Sequence, residues 1–203
     1  MKDLPIYKIF VNPDLEDNSG VYAISLVERP AIQTNFIYFE EQKALISLSD
    51  DEKRIVTGVL LRPDILIYRN LPPFGEMYWT LEASSIETIR DKFHKQNNGT
   101  NVTLDHKVSI EGCYMIESYI VNRSKGLIPA DFSDIEDGSW VASYKIENDE
   151  VWEAIKTDKS FKGFSVEGVV IQNLVSSESK LSETPKSNIT KLNDKIKTIL
   201  TTK

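Results

Sequence analysis

Hydrophobic positions along this chain recur mostly at every second residue or in short β-branched runs, and each run stops at a proline, glycine or asparagine. That period is the signature of strands half-buried on a core. Positions 6–11 alternate into a strand that turns at Asn12-Pro13-Asp14. The apolar run Gly20-Val-Tyr-Ala-Ile-Ser-Leu-Val-Glu-Arg-Pro-Ala-Ile32 is halted by Pro30, and positions 35–39 give another strand. Positions 55–61 and 65–68 flank the turn Arg62-Pro63-Asp64, which predicts a hairpin, and positions 76–80 add a strand beyond the loop 70–75.

Helical spacing is confined to short stretches. Ser84-Ser-Ile-Glu87 is a capping box, after which Ile86, Ile89 and Phe93 lie on one face until Asn97-Asn98-Gly99 ends the pattern. Asn148 caps a second helix bearing Val151, Trp152 and Ile155. Positions 102–107 and 113–121 read as a hairpin around Ser109-Ile-Glu-Gly112, which places His106 near one end of the ladder. A polar connection over 122–138 follows, of a length associated with function or mobility. Strands at 139–146 and 163–173 then complete the body.

The predicted fold is α+β and strand-dominated over residues 1–173, with eight or nine strands and two or three short helices. A mostly antiparallel curved sheet or a partly closed barrel both satisfy the alternation. Beyond Leu174 the composition turns to Ser, Thr, Lys and Glu, so 174–203 is expected to be a linker followed by a short helix. Its apolar stripe, Ile189, Leu192, Ile196, Ile199 and Leu200, covers only about three turns and needs a partner surface to be stable.

Charge sharpens this division. The net charge of −7 combines a tail with six lysines against three acids and a body of −10, which argues against nucleic-acid binding. No apolar run is long enough to span a bilayer, and the first residues lack a secretory signal, so folding in a reducing cytoplasm is expected. The single cysteine, Cys113, reads as a small buried hydrophobe. Two histidines and one cysteine at positions 94, 106 and 113 lack metal-ligand spacing, and no metal or cofactor is expected.

The candidate chemistry centres on Phe161-Lys-Gly-Phe-Ser-Val-Glu-Gly168. Two glycines bracket Ser165 and let backbone approach its hydroxyl closely. A serine needs a base to take its proton. His94 falls on the helix, whereas His106 ends the alternating run Asn101-Val-Thr-Leu-Asp-His106, so a Ser165/His106 pair is expected. A thiol pair of Cys113 with His106 is the less favoured alternative, since nothing nearby would stabilise a thiolate.

Taken in order, six segments resemble the XkdF-type phage serine proteases, relatives of tailed-phage prohead proteases and, more distantly, of herpesvirus assemblins. They are the run 20–32, Leu61-Arg-Pro-Asp-Ile-Leu-Ile-Tyr-Arg69, the His106 segment with Gly112-Cys-Tyr-Met-Ile-Glu-Ser118, Gly138-Ser-Trp-Val141, Asn148-Asp-Glu-Val-Trp152, and Gly163-Phe-Ser-Val-Glu-Gly168. The resemblance implies a herpesvirus-protease-like fold and an endopeptidase made in the host cytoplasm and enclosed in the procapsid. There it would cut scaffold or major capsid protein, and itself, with self-association a further expectation. The family's nucleophile maps onto Ser165 and its base onto His106. For the third member two carboxylates stand open: Glu167, two residues from Ser165 on the same strand face, and Glu117, on the strand after His106. Asp105 is less favoured because it points to the opposite face. The alternative function is a non-catalytic capsid-interior assembly protein that docks through 174–203.

Overall fold

Alternating and β-branched runs become twelve strands in the computed structural model, which describes residues 4–27, 46–50, 53–158, 161 and 163–176. The first half of the chain supplies β1 (Ile6–Phe10), β2 (Gly20–Val27), β3 (Ile46–Asp50), β4 (Ile55–Leu61), β5 (Ile67–Leu71), β6 (Gly75–Thr80) and the helix α1 (Ala83–Lys95). The second half supplies β7 (Val102–Leu104), β8 (Val108–Ile110), β9 (Cys113–Ile120), β10 (Trp140–Ile146), α2 (Asp149–Asp158), β11 (Gly163–Val169) and β12 (Ile171–Ser176).

These strands form three four-stranded sheets, in the orders β12-β1-β6-β5, β3-β4-β10-β9 and β11-β2-β7-β8. The fold is thus α+β and strand-rich. Among the described residues no sheet closes into a barrel, and two pairings, β1 with β6 and β2 with β7, are parallel.

Three local expectations change. Strands β4 and β5 do not form a hairpin, because Asp64 takes a left-handed φ of 58° and its N–H bonds to Leu81 O at 2.8 Å, which ties the turn to the end of β6. The hairpin at His106 is β7/β8 itself, with Asp105 and His106 as the turn, while β9 pairs with β10 in another sheet. The last predicted strand splits: β11 belongs to the sheet of β2, and β12 crosses to pair with β1. The strand expected at 35–39 and the helix expected in the tail lie outside the described residues.

One contiguous core joins the sheets. Phe93 and Trp140 meet edge-on at 5.4 Å, and Tyr144 packs on Phe164 at 5.2 Å, all four fully buried. Each such ring is worth roughly 1.5–3 kcal/mol removed from water. A smaller cluster explains the long connection after β9. Phe132 and Ile135 dip into it beside Val59 and Val141, and Arg123 bonds Asp137 and the Ser133 carbonyl, so the segment is pinned rather than loose. The buried Lys92 of α1 is satisfied by the carbonyls of Asn12 and Asp17, each at 2.9 Å, which fixes the loop leading into β2.

Candidate functional site

Strand pairing brings the chemistry together on one sheet. Ser165 of β11 lies opposite Ser25 of β2, and Ser25 lies opposite Thr103 of β7, a row of three hydroxyls across the sheet. Residue 167 is two positions on from 165, so the Glu167 side chain leaves the same face. A bulge at Tyr22, where Glu167 pairs with Ala23 and Gly168 with Val21, ends this regular stretch.

The base is held by a tight turn. Asp105 and His106 both take left-handed φ, 45° and 59°, and Lys107 N–H bonds Leu104 O at 2.9 Å, the geometry of a primed hairpin turn matched to strand twist. Asp105 N–H bonds Leu26 O at 3.0 Å, and His106 N–H bonds the Ser25 hydroxyl at 2.9 Å, which fastens the turn to β2. His106 Nδ1 then lies 3.2 Å from Glu167 Oε1, and Thr103 Oγ1 donates to that same oxygen. The ring is 43% exposed and the carboxylate only 15%, so solvent reaches the imidazole more readily than the group orienting it.

The two candidate carboxylates therefore part company. Glu117 sits on β9 in a different sheet, where its Oε2 accepts from Ser143 Oγ at 2.5 Å, and Ser143 in turn meets Thr57 Oγ1 at 2.9 Å. Glu167 faces His106. Ser165 and His106 lie on one sheet, but no hydrogen bond joins them among the described residues; the Ser25 position stands between their strands.

The remaining groups are placed elsewhere. Cys113 is buried on β9, and desolvation pushes its thiol up to about 11, which leaves almost no thiolate near neutral pH. His94, at the surface of α1 but partly desolvated, has its Nε2 2.7 Å from Ser118 Oγ, and that hydroxyl oxygen accepts from the buried Trp140 Nε1 at 2.8 Å. Burial and the neighbouring Arg90 charge pull His94 below the usual histidine range, against Asp91.

Sequence reasoning missed Ser25 and Thr103. Ser25 had a signal: it is the one small hydroxyl in an apolar run, and a fully buried hydroxyl must find a partner. Thr103 had none beyond its place in the alternation.

A cleft of about 80 Å³ lies among the three sheets, walled by Ile9, Trp79 and Arg69 of the first, Leu60 of the second and Phe164 of the third; Ser165 borders it, but its side chain leaves β11 on the face opposite Phe164. Among the described residues, no group of histidine, cysteine, aspartate or glutamate could hold a metal ion. No described helix is long and apolar enough to cross a membrane.

The family model described as "Putative phage serine protease XkdF" matches residues 42–172, more than half of the chain. That span contains Ser165, His106, Glu167 and Glu117, and leaves the run 20–32 outside it. No curated protein and no solved structure matches the chain.

Proposed function

The chain belongs to the XkdF phage serine protease family, and on that premise we propose that it is a capsid-maturation endopeptidase working through Ser165, His106 and Glu167. The observation that carries this reading is the 3.2 Å approach of His106 Nδ1 to Glu167 Oε1, on the strand face that Ser165 shares. A carboxylate at Nδ1 keeps the proton there and leaves the Nε2 lone pair to act as base.

In the reaction, Ser165 Oγ attacks the peptide carbonyl as its proton passes to His106 Nε2. The amine leaves with that proton, and a water activated by the same nitrogen hydrolyses the ester. Substrate binding has to bring Nε2 within about 2.6–3.2 Å of Ser165 Oγ, since such bonds are often long in the free enzyme. The substrates are scaffold and major-capsid-protein extensions, and the chain's own tail, inside the procapsid. Self-association there would concentrate it.

Co-expression of the Ser165→Ala variant with scaffold and capsid protein tests this. Cleavage by the unmodified chain and none by the folded variant is the expected result; equal cleavage by both removes Ser165 from the chemistry. A second reading, a non-catalytic assembly protein docking through 174–203, draws on the opposite charges of tail and body and on the absent Ser165–His106 bond among the described residues. Under that reading neither chain cleaves, and deleting 174–203 abolishes incorporation into particles.

A further inference from the structure

Ser25 of β2 meets both halves of the Ser165/His106 pair. Its backbone lies opposite that of Ser165, and its side chain reaches the turn that carries His106. That turn needs outside support. Asp105 and His106 both hold a Cβ in the left-handed region, at φ of 45° and 59°, where a glycine is usual in second place. Three successive N–H groups there require acceptors. Asp105 N–H finds Leu26 O at 3.0 Å and Lys107 N–H finds Leu104 O at 2.9 Å, both main-chain carbonyls. The middle one, His106 N–H, meets no carbonyl among the described residues and bonds the Ser25 hydroxyl at 2.9 Å. Ser25 is fully buried, and a low-dielectric setting strengthens such a bond. The carbonyls of Leu26 and Thr103 stand 3.4 Å from the same Oγ, so accepting from His106 is its shortest contact.

We propose that Ser25 is a positioning residue for the base: it fixes the backbone of His106 so that the ring stays against Glu167 and at a set distance from Ser165. This rests on the protease reading above. His106 Nδ1 lies 3.2 Å from Glu167 Oε1, so a drift of the turn by about 1 Å takes the ring out of hydrogen-bonding range. Misplacement of that size is enough to slow a reaction by roughly 100-fold. Once the carboxylate no longer holds the Nδ1 proton, the two tautomers of the neutral imidazole compete, and only the one with a free Nε2 lone pair can act as base. Because β2 also pairs with β11, one strand sets the spacing of base and nucleophile.

Ser25→Ala tests this in the full chain, with Ser25→Thr as the variant that keeps the acceptor. Removing the hydroxyl should lower kcat by roughly 10- to 100-fold with KM little changed, and the folded threonine variant should recover most of the loss. A second readout does not depend on cleavage. With His94→Gln introduced, His106 is the one remaining histidine, and its ring nitrogens can be followed by ¹⁵N NMR. The neutral ring should carry its proton on Nδ1 when Ser25 is present and be a mixture of tautomers in Ser25→Ala, with the His106 amide exchanging at least about tenfold faster. A lower urea midpoint with kcat and tautomer unchanged means that Ser25 only supports the fold, and overturns the proposal. A fall in kcat with the tautomer and amide exchange unmoved overturns it as well, as does a folded Ser25→Thr that behaves like Ser25→Ala. No cleavage by the parent chain, with the tautomer still shifting in Ser25→Ala, overturns the protease reading and keeps Ser25 as the residue that positions His106.

Discussion

Thr103 and Glu167 are joined side chain to side chain across the intervening strand β2, at the same carboxylate oxygen that faces His106. The base is thus oriented by a group that is itself held. Thr103→Val keeps the shape and removes the donor, which leaves Glu167 free to change rotamer. Cleavage should fall by roughly 10- to 100-fold, the size of one hydrogen bond to a charged group, with kcat affected and KM little changed. An unchanged kcat in the folded variant would show that Thr103 has no part in orienting the pair.

The two carboxylates separate experimentally. Glu167→Gln should lower kcat by on the order of 10²–10⁴, the range expected when an imidazole loses the partner that fixes its tautomer. Glu117→Gln, which touches Ser143 in a different sheet, should stay within about twofold of the parent. The reverse ranking in a steady-state assay would transfer the role to Glu117.

Gly168 cannot carry a side chain. A Cβ there would come 2.3 Å from Gly20 O and 3.0 Å from Val21 Cα, both backbone atoms that cannot swing aside. Gly168→Ala should therefore part β11 from β2 and destabilise the protein by about 2 kcal/mol or more, read as a lower urea midpoint. A midpoint equal to the parent's would mean the bulge relaxes without strain.

Cys113 should be inert in the native state. With the thiol at about 11, roughly one molecule in a thousand is ionised at pH 8, and the side chain is buried besides. A chromogenic disulfide reagent should react slowly until urea is added. Rapid native modification with loss of cleavage would reinstate the thiol as a nucleophile.

His94 links stability to pH. Its pKa is held below the ordinary 6.5 in the folded state, by burial first and then by Arg90, so the unfolded chain binds the proton more readily. Stability from this group is therefore complete above about pH 6.5 and is lost as pH falls below it toward the folded value. Urea midpoints between pH 7.5 and 5.5 should drop more for the parent than for His94→Gln. Equal drops would show that His94 does not contribute.

The sequence made some of this legible for clear physical reasons. Glycines around Ser165 indicated close backbone approach, and at Gly168 that approach is to Gly20 O. Near-continuous apolar runs identified β2, β4 and β10, which are buried on both faces, and Asn148 does cap α2, its Oδ1 accepting from Val151 N–H at 3.0 Å. The helix α1 was legible from the spacing of Ile86, Ile89 and Phe93, whereas the capping box expected at Ser84 does not form, because the helix starts at Ala83, one residue before it, with Glu82 as its N-cap and no side-chain cap bond. Pairing was not legible. Whether Arg62-Pro63-Asp64 closes a ladder or leads to another sheet depends on the bond from Asp64 to Leu81, a contact 17 positions away along the chain. The choice between Glu167 and Glu117 hung on the same question: both alternate correctly, and only the assignment of β9 and β11 to different sheets tells them apart.

The crossing of β12 onto β1 has an architectural outcome. Ile6 stands opposite Ser176, so the first and last described strands are neighbours in one ladder. A short glycine-serine loop could join them, and new termini could be opened in a surface turn such as Asn97-Asn98-Gly99 without separating Ser165 from His106. The described strands thus form, in effect, a ring that is cut at the β1–β12 seam.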